Sequence, residues 1–350
     1  MTHRVIVVCV GALLLFAADL AADCPELVGQ LPGSSSEVDV SGDYAYLGSL
    51  SGLTVADVSD PSAPWQVGDL GLPNLPQDIA VSGAYVYVAD AYGLRVIDAS
   101  TPSAPAEVVF LQTRAYARGV AVAGGYAYVT YSDPSNSEGG LQVIDVSTPS
   151  APVEVGFIAT PGPAFAVALS GAYAYVACIE GSSGGGGLDV IDVSTPSAPV
   201  GVGFWHANGN AVDVVVSGGY AYVGGYAYVA GSFGLWVIDV SMPSAPLELG
   251  YVDTPDLIWS IAASSGYVYV AWADDFSPAA GLRVIDVSTP SAPVEVAFYD
   301  TLGERLGIAV SGGHVFLTTD VDGLYIFRGC GVFVDGFESG DTSAWSVTVP

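Results

Sequence analysis

The sequence predicts an all-β fold: a seven-bladed β-propeller of four-stranded antiparallel blades with velcro closure, the first strand of the chain completing the last blade. Three observations carry this prediction. One phrase returns six times in register, and a shortened seventh copy follows, at spacings of 41, 47, 47, 47, 47 and 42 residues. Periods in the forties with strand-like content mark propeller blades. Between the copies run short stretches rich in Tyr, Val and Ile, bounded by Ser-Gly pairs and Pro, and no long 3.6-residue periodicity competes with them. The chain also begins and ends out of phase by one strand, as a closed ring requires.

Taken in order, residues 1–22 read as a signal peptide. Arg4 supplies a basic start, Val5 to Ala17 is an apolar run of 13 residues, and Leu20-Ala21-Ala22 offers small residues for cleavage near Ala22. Thirteen residues are too few to span a bilayer comfortably, and the later apolar runs are broken by Gly, Pro and Ser, so no transmembrane segment is expected. Residues 23–329 form the propeller. The unit that starts at Pro152 shows its parts: PVEVGFI, then FAVALSG from Phe165, then AYAYVA from Ala172 with alternation of period two, then GLDVIDV from Gly187. Ser-Gly pairs such as Ser82-Gly83 make tight hairpins between the second and third strands. The Pro-Ser-Ala-Pro segments fix φ and remove backbone donors, so they separate one strand from the next. CPELVGQL at Cys24 matches the PVEVGFI strand. The chain's last three strands, GIAVSG, HVFLTT and GLYIFR, lack that partner. Residues 330–350, with the stretch DGFESGDTSAW, are a short tail.

The phrases themselves are GLTVADVSDPSAP from Gly52, GLRVIDASTPSAP from Gly93, GLQVIDVSTPSAP from Gly140, GLDVIDVSTPSAP from Gly187, GLWVIDVSMPSAP from Gly234 and GLRVIDVSTPSAP from Gly281. With SGxYxYVA upstream, they resemble the LVIVD repeat of bacterial and archaeal surface proteins, from about Cys24 to Arg328. The resemblance implies a propeller at the cell surface and implies no reaction.

Composition narrows the function. The chain has 36 acidic residues against seven basic ones, all arginine, for a net charge of -29. Such a surface repels phosphate backbones, so nucleic acid is excluded as a partner. Export permits disulfides. Cys24 begins the first strand and Cys330 follows the last, and closure sets those strands side by side, so a Cys24–Cys330 disulfide is expected. Lipidation of Cys24 is the second reading, because Asp23 stands where a small residue is wanted. Cys178 is left unpaired.

Several residues look chemical. Asp57, Asp98, Asp145, Asp192, Asp239 and Asp286 recur at one repeat position, and there the truncated seventh copy has Arg328. The acid vanishes together with the turn that follows it, which points to a cap on that turn rather than a ring of ligands. The tyrosine pairs from Tyr44/Tyr46 to Tyr267/Tyr269, replaced by His314 and Phe316 in the last blade, recur too evenly for a binding platform and read as packing between blades. Asp320-Val-Asp322-Gly reads as a hairpin, without the later acids of a calcium loop. No zinc spacing, GxSxG or phosphate loop occurs. The expectation is therefore no enzyme, no cofactor and no metal.

The functional face follows from strand direction. Alternate hairpins leave opposite ends of an antiparallel blade. The near-identical Ser-Gly and Val-Ser-Thr-Pro turns share one face, and the loops that vary share the other. Repeats that keep a scaffold and vary one face present that face. It carries the candidate ligand-binding residues Arg114, Arg118, Trp205, His206, Trp259, Trp272, Asp274, Asp275 and Arg305, with Arg118 and Trp259 placed over the channel mouth. The expected protein is a secreted or cell-surface monomer that binds an extracellular protein or glycan. A loop-built polysaccharide lyase or hydrolase, and a structural repeat without a ligand, are the alternatives. Converging acids near the channel would favour the enzyme, and a broad loop face with exposed aromatics would favour the binder.

Overall fold

The computed structural model describes residues 24–330 except 134, 136, 180–185, 208, 228–231, 255 and 275–276. The leader, Asp275, Tyr228, Val229 and the tail after Cys330 thus lie outside the described residues. The chain folds into seven four-stranded antiparallel sheets, each a blade. Six blades use four consecutive strands. The seventh joins Leu306–Ser311, His314–Thr319 and Gly323–Arg328 to Glu26–Leu31, the first strand of the chain. Glu26 pairs with Arg328 and Leu31 with Leu324 in that closing ladder, and the two ends are tied by a Cys24–Cys330 disulfide with Cα atoms 5.4 Å apart. Cys178 is a buried free thiol.

The innermost strands are Glu37–Ser41, Pro76–Ser82, Tyr116–Ala123, Ala164–Ser170, Gly209–Ser217, Leu257–Ser264 and Leu306–Ser311. They line the central channel and pack against one another around the ring. The core lies between blades. The second tyrosine of each pair is almost wholly buried there: Tyr46, Tyr87, Tyr128, Tyr175, Tyr222 and Tyr269, with Phe316 in the seventh blade. Tyr46, for example, packs with Leu53 and Val55 of its own blade and with Ile79, Val86 and Val88 of the next. Large rings fill the wedge between twisted sheets, where aliphatic residues alone would leave voids.

The repeated aspartates are turn caps. Asp145 Oδ1 accepts the Ser147 N–H at 2.9 Å and its hydroxyl at 2.6 Å, and Asp57 does the same with Ser59. The seventh blade has no such turn, and Arg328 instead ion-pairs with Glu26 across the closing ladder. The same turns are stitched to the Ser-Gly hairpins. Val146 N–H donates to the Gly125 carbonyl and Val193 N–H to the Ala172 carbonyl. Both turn classes therefore share one face. On the opposite face the variable loops bond to each other: Thr113 N–H to the Tyr92 carbonyl, Ala207 N–H to Gly186, Gly303 N–H to Pro278.

Blade five contains the doubled stretch Gly218-Gly219-Tyr220-Ala221-Tyr222-Val223-Gly224-Gly225-Tyr226-Ala227-Tyr228-Val229. Tyr to Gly counts of 6, 6, 12, 12, 12, 12 and 7 residues predict that the first copy holds the core and the second projects. The strand Tyr220–Ala227 agrees: Tyr222 is buried between blades, Tyr220 pairs with Asp239, and Tyr226 continues the ladder opposite Phe233.

Candidate functional site at the channel mouth

A cavity of about 180 Å³ opens at the channel mouth on the variable face. It forms where the innermost strands begin, and five of the blades line it there with two consecutive residues each. Arg118, Phe165 and Trp259 stand at one level, with Gln77 beside them, and Arg305 reaches in from the loop before the seventh innermost strand. One level deeper lie Glu37, Asp78, Gly119, Ala166, Asp213, Ser260 and Gly307, each four residues before the end of its strand. All but Gly307 line the cavity. Three carboxyls thus converge below two arginines.

Two of these carboxyls, Asp78 and Asp213, also tie neighbouring blades together. Asp78 accepts Ile79 N–H at 2.8 Å from its own strand and Val120 N–H at 2.7 Å from the next blade. Asp213 accepts Val214 and Ile261 N–H, both at 2.7 Å. Burial pushes Asp78 up to about 8 and Asp213 to about 6, and holds Glu37 well above the usual carboxylate range. Repulsion from Asp78 and Asp213 adds to the shift of Glu37, and Arg305 offsets part of it. Backbone N–H bonds favour ionisation of Asp78 and Asp213, but desolvation outweighs them.

Arg118 is half-buried and held rigidly. Its Nε donates to Ser132 Oγ at 2.9 Å, Nη1 lies 3.3 Å from Gln77 Oε1, and the guanidinium sits 4.9 Å from the Phe165 ring centre. Burial and the nearby Arg305 charge lower its pKa. Every described arginine other than Arg118 and Arg305 has a carboxylate partner: Arg95 with Asp90 and Glu107, Arg114 with Glu154, Arg283 with Glu295, Arg328 with Glu26. Among the described residues, Arg118 and Arg305 alone have no ion pair, and both line this cavity. Trp259 lies beside them, half-buried, with its indole Nε1 enclosed and no described acceptor.

The remaining sequence-predicted residues scatter. Arg114 sits on the outer rim, paired with Glu154 and stacked 3.6 Å above the Phe157 ring centre. His206 is exposed against Phe204, 4.5 Å between ring centres. Asp274 is half-buried and accepts the Ser277 hydroxyl at 2.6 Å. Trp205 and Trp272 are not presented to solvent, contrary to the expectation for a binding face: they are 7% and 6% exposed. The outer strand Val200–His206 runs through Trp205, which packs on Trp236 between blades. Trp272 belongs to the strand Tyr267–Ala273, under the Arg283 guanidinium. Sequence reasoning missed Glu37, Gln77, Asp78, Phe165 and Asp213. It also missed the exposed pair Tyr92 and Tyr116, 6.1 Å apart beside a rim cavity that contains Arg114. Among the described residues no group of acids, histidines and cysteines could hold a metal ion, and no helix is long and apolar enough to cross a membrane.

Seven four-stranded blades around a channel, with polar groups gathered at one mouth, define a β-propeller. Its repeats match the LVIVD repeat over residues 32–70, 76–113, 115–160, 161–205, 208–225, 223–254 and 258–301, and the chain belongs to the LVIVD-repeat family. No curated protein matches it in sequence. In structure it is similar to hydrazine synthase of Kuenenia stuttgartiensis, with 16% identity, TM-score 0.66, and 87% of this chain and 98% of that one covered. The computationally designed Ika8 protein matches with 12% identity, TM-score 0.60 and coverage of 87% and 99%. BamB from Moraxella catarrhalis matches with 13% identity, TM-score 0.53 and coverage of 87% and 85%. At such identities these likenesses concern the fold alone.

Proposed function

We propose that this protein is exported and acts outside the cytoplasm as a binding module that seats its ligand over the channel mouth of the variable face. One observation carries the reading: the two described arginines without an ion pair share one cavity with Trp259. In a chain of net charge -29, carboxylates to neutralise them are abundant. Arg and Trp are also common anchors of binding sites. The test compares Arg118→Ala with Trp259→Ala against substitutions in the Val-Ser-Thr-Pro turns, scored on a partner recovered with the mature protein. Loss of binding in the first pair alone supports the reading; loss in the turn variants alone refutes it.

A second reading, a loop-built hydrolase or lyase, is favoured by one specific observation, the convergence of Glu37, Asp78 and Asp213 below the arginines. Glu37 would serve as the acid, since its carboxyl has no described hydrogen bond and burial together with its acidic neighbours raises its pKa, which favours the protonated form. Release of reducing ends or unsaturated products from polysaccharides, abolished by Glu37→Gln, is the expected signature. Intact polysaccharide after prolonged incubation removes this reading.

A further inference from the structure

We propose that the ligand of the channel mouth is an acidic oligosaccharide, with a uronate-type sugar in the mouth and a neighbouring sugar in the adjoining cavity. This inference rests on the binding reading above. A second cavity of about 250 Å³ adjoins the first and shares Arg305 with it. Its walls carry Ser34, Ser36 and Ser49. Ser36 is 4% exposed, yet its hydroxyl has no described partner.

The unmet hydrogen-bonding groups specify the ligand. Arg118 and Arg305 offer positive charge that no described ion pair takes up, and the enclosed Trp259 N–H has no described acceptor. These groups require an acceptor-rich ligand, and two guanidiniums select a carboxylate over a neutral oxygen. Beneath them, the carboxyls of the deeper level can accept from hydroxyl donors. A ligand that both donates and accepts at neighbouring positions, and bears one carboxylate, is a sugar acid. Its ring has an apolar face suited to Trp259 or Phe165. An acidic protein side chain would satisfy the arginines but would leave the Ser-lined cavity and the indole N–H without partners. Each cavity suits about one sugar ring, with Arg305 at the junction between them.

Titration calorimetry on the mature protein provides the test, with trimers of galacturonate, glucuronate and mannuronate, their methyl esters and an uncharged hexose trimer as probes. At least one acidic trimer is expected to bind, at least tenfold tighter than its ester, and to weaken at least tenfold in Arg305→Gln and in Ser36→Val. Arg305 is exposed and its side chain has no described hydrogen bond, so Arg305→Gln should keep the wild-type melting temperature. Equal affinity for acid and ester, or for wild type and Arg305→Gln, overturns the inference. Failure of every uronate trimer, together with a protein partner lost on Arg118→Ala, overturns the glycan and leaves the mouth as the binding site. Uronate binding that survives Arg118→Ala and Trp259→Ala but fails in the turn variants overturns both.

Discussion

At the scale of single residues, position within the repeat decides what an acid does. Asp145 and its equivalents cap exposed turns, and hydrogen bonds from the following serine hold several of them below the ordinary carboxylate value. The Ser-Thr-Pro context and the Arg328 exception made that role legible in the sequence. Glu37, Asp78 and Asp213 were not legible. An acid among the apolar residues of a strand reads as its solvent side, and a predicted channel does not by itself show which of those sides bury a carboxyl. Trp205 and Trp272 failed for the converse reason. At the boundary of a strand and a variable loop, sequence does not separate a ring in the wedge from a ring in solvent. The channel carboxyls carry a pH prediction. They keep their protons to about pH 6 and 8 in the fold, against about 3.9 in an unfolded chain. The folded state therefore binds more protons across this window, and its stability falls as pH rises from about 4 to about 8. Melting temperature measured at constant ionic strength should decline over that range, with a shallower slope in Asp213→Asn. A rise over the same range contradicts the assignment.

At the scale of elements, the outer strand of each blade meets the turn of the next. All seven outer strands carry a bulge against their inner neighbour. In five of them a glycine follows it: Gly29, Gly68, Gly156, Gly203 and Gly250. A Cβ on Gly156 would lie 2.3 Å from the Pro196 carbonyl oxygen, and one on Gly203 would lie 2.2 Å from that of Pro243. These glycines exist for the close approach of a neighbouring blade, not for an unusual φ. Where the following blade lacks the turn, the equivalent residue is Ala297, which packs in the cluster that contains Cys24 and Cys330. Val109 stands at that position in blade two, and nothing described explains its tolerance. Gly156→Ala should destabilise the protein by about 1–3 kcal/mol, as overpacking does, measured by denaturant titration. An unchanged midpoint would mean that the turn moves aside freely. The bulges also twist an edge that would otherwise pair with another chain. Arg95 over Phe110, Arg114 over Phe157 and Arg283 over Phe298 cover apolar rings on those same edges. Strand content, blade number and the register of blade five were readable because period and alternation are local properties. The glycine contacts were not, because they join residues of different blades, from 32 to 40 positions apart, and a recurring glycine does not name the turn it faces.

At the scale of the whole molecule, closure is the cooperative event. The first strand pairs with the last, so the closing ladder joins the two ends of the described chain. The disulfide across that ladder closes a separation of 306 residues. In the chain-entropy account such a bond contributes on the order of 5–6 kcal/mol, less any strain. The double variant Cys24→Ser/Cys330→Ser should melt well below the wild type while keeping the same far-ultraviolet spectrum. Equal melting temperatures would show that the strand ladder alone suffices.

The bond has another consequence. With Cys24 and Cys330 joined, the backbone from the first blade to the seventh is a covalent circle. A single cut in any loop between them opens the circle but frees no fragment. The connection between the strands Tyr126–Asp133 and Glu138–Asp145, an exposed tip of the kind where proteolytic nicking concentrates, can be clipped while both pieces stay in the ring. Limited proteolysis should therefore leave one band without reductant and two bands with it, and the clipped ring should keep its melting transition until the disulfide is reduced.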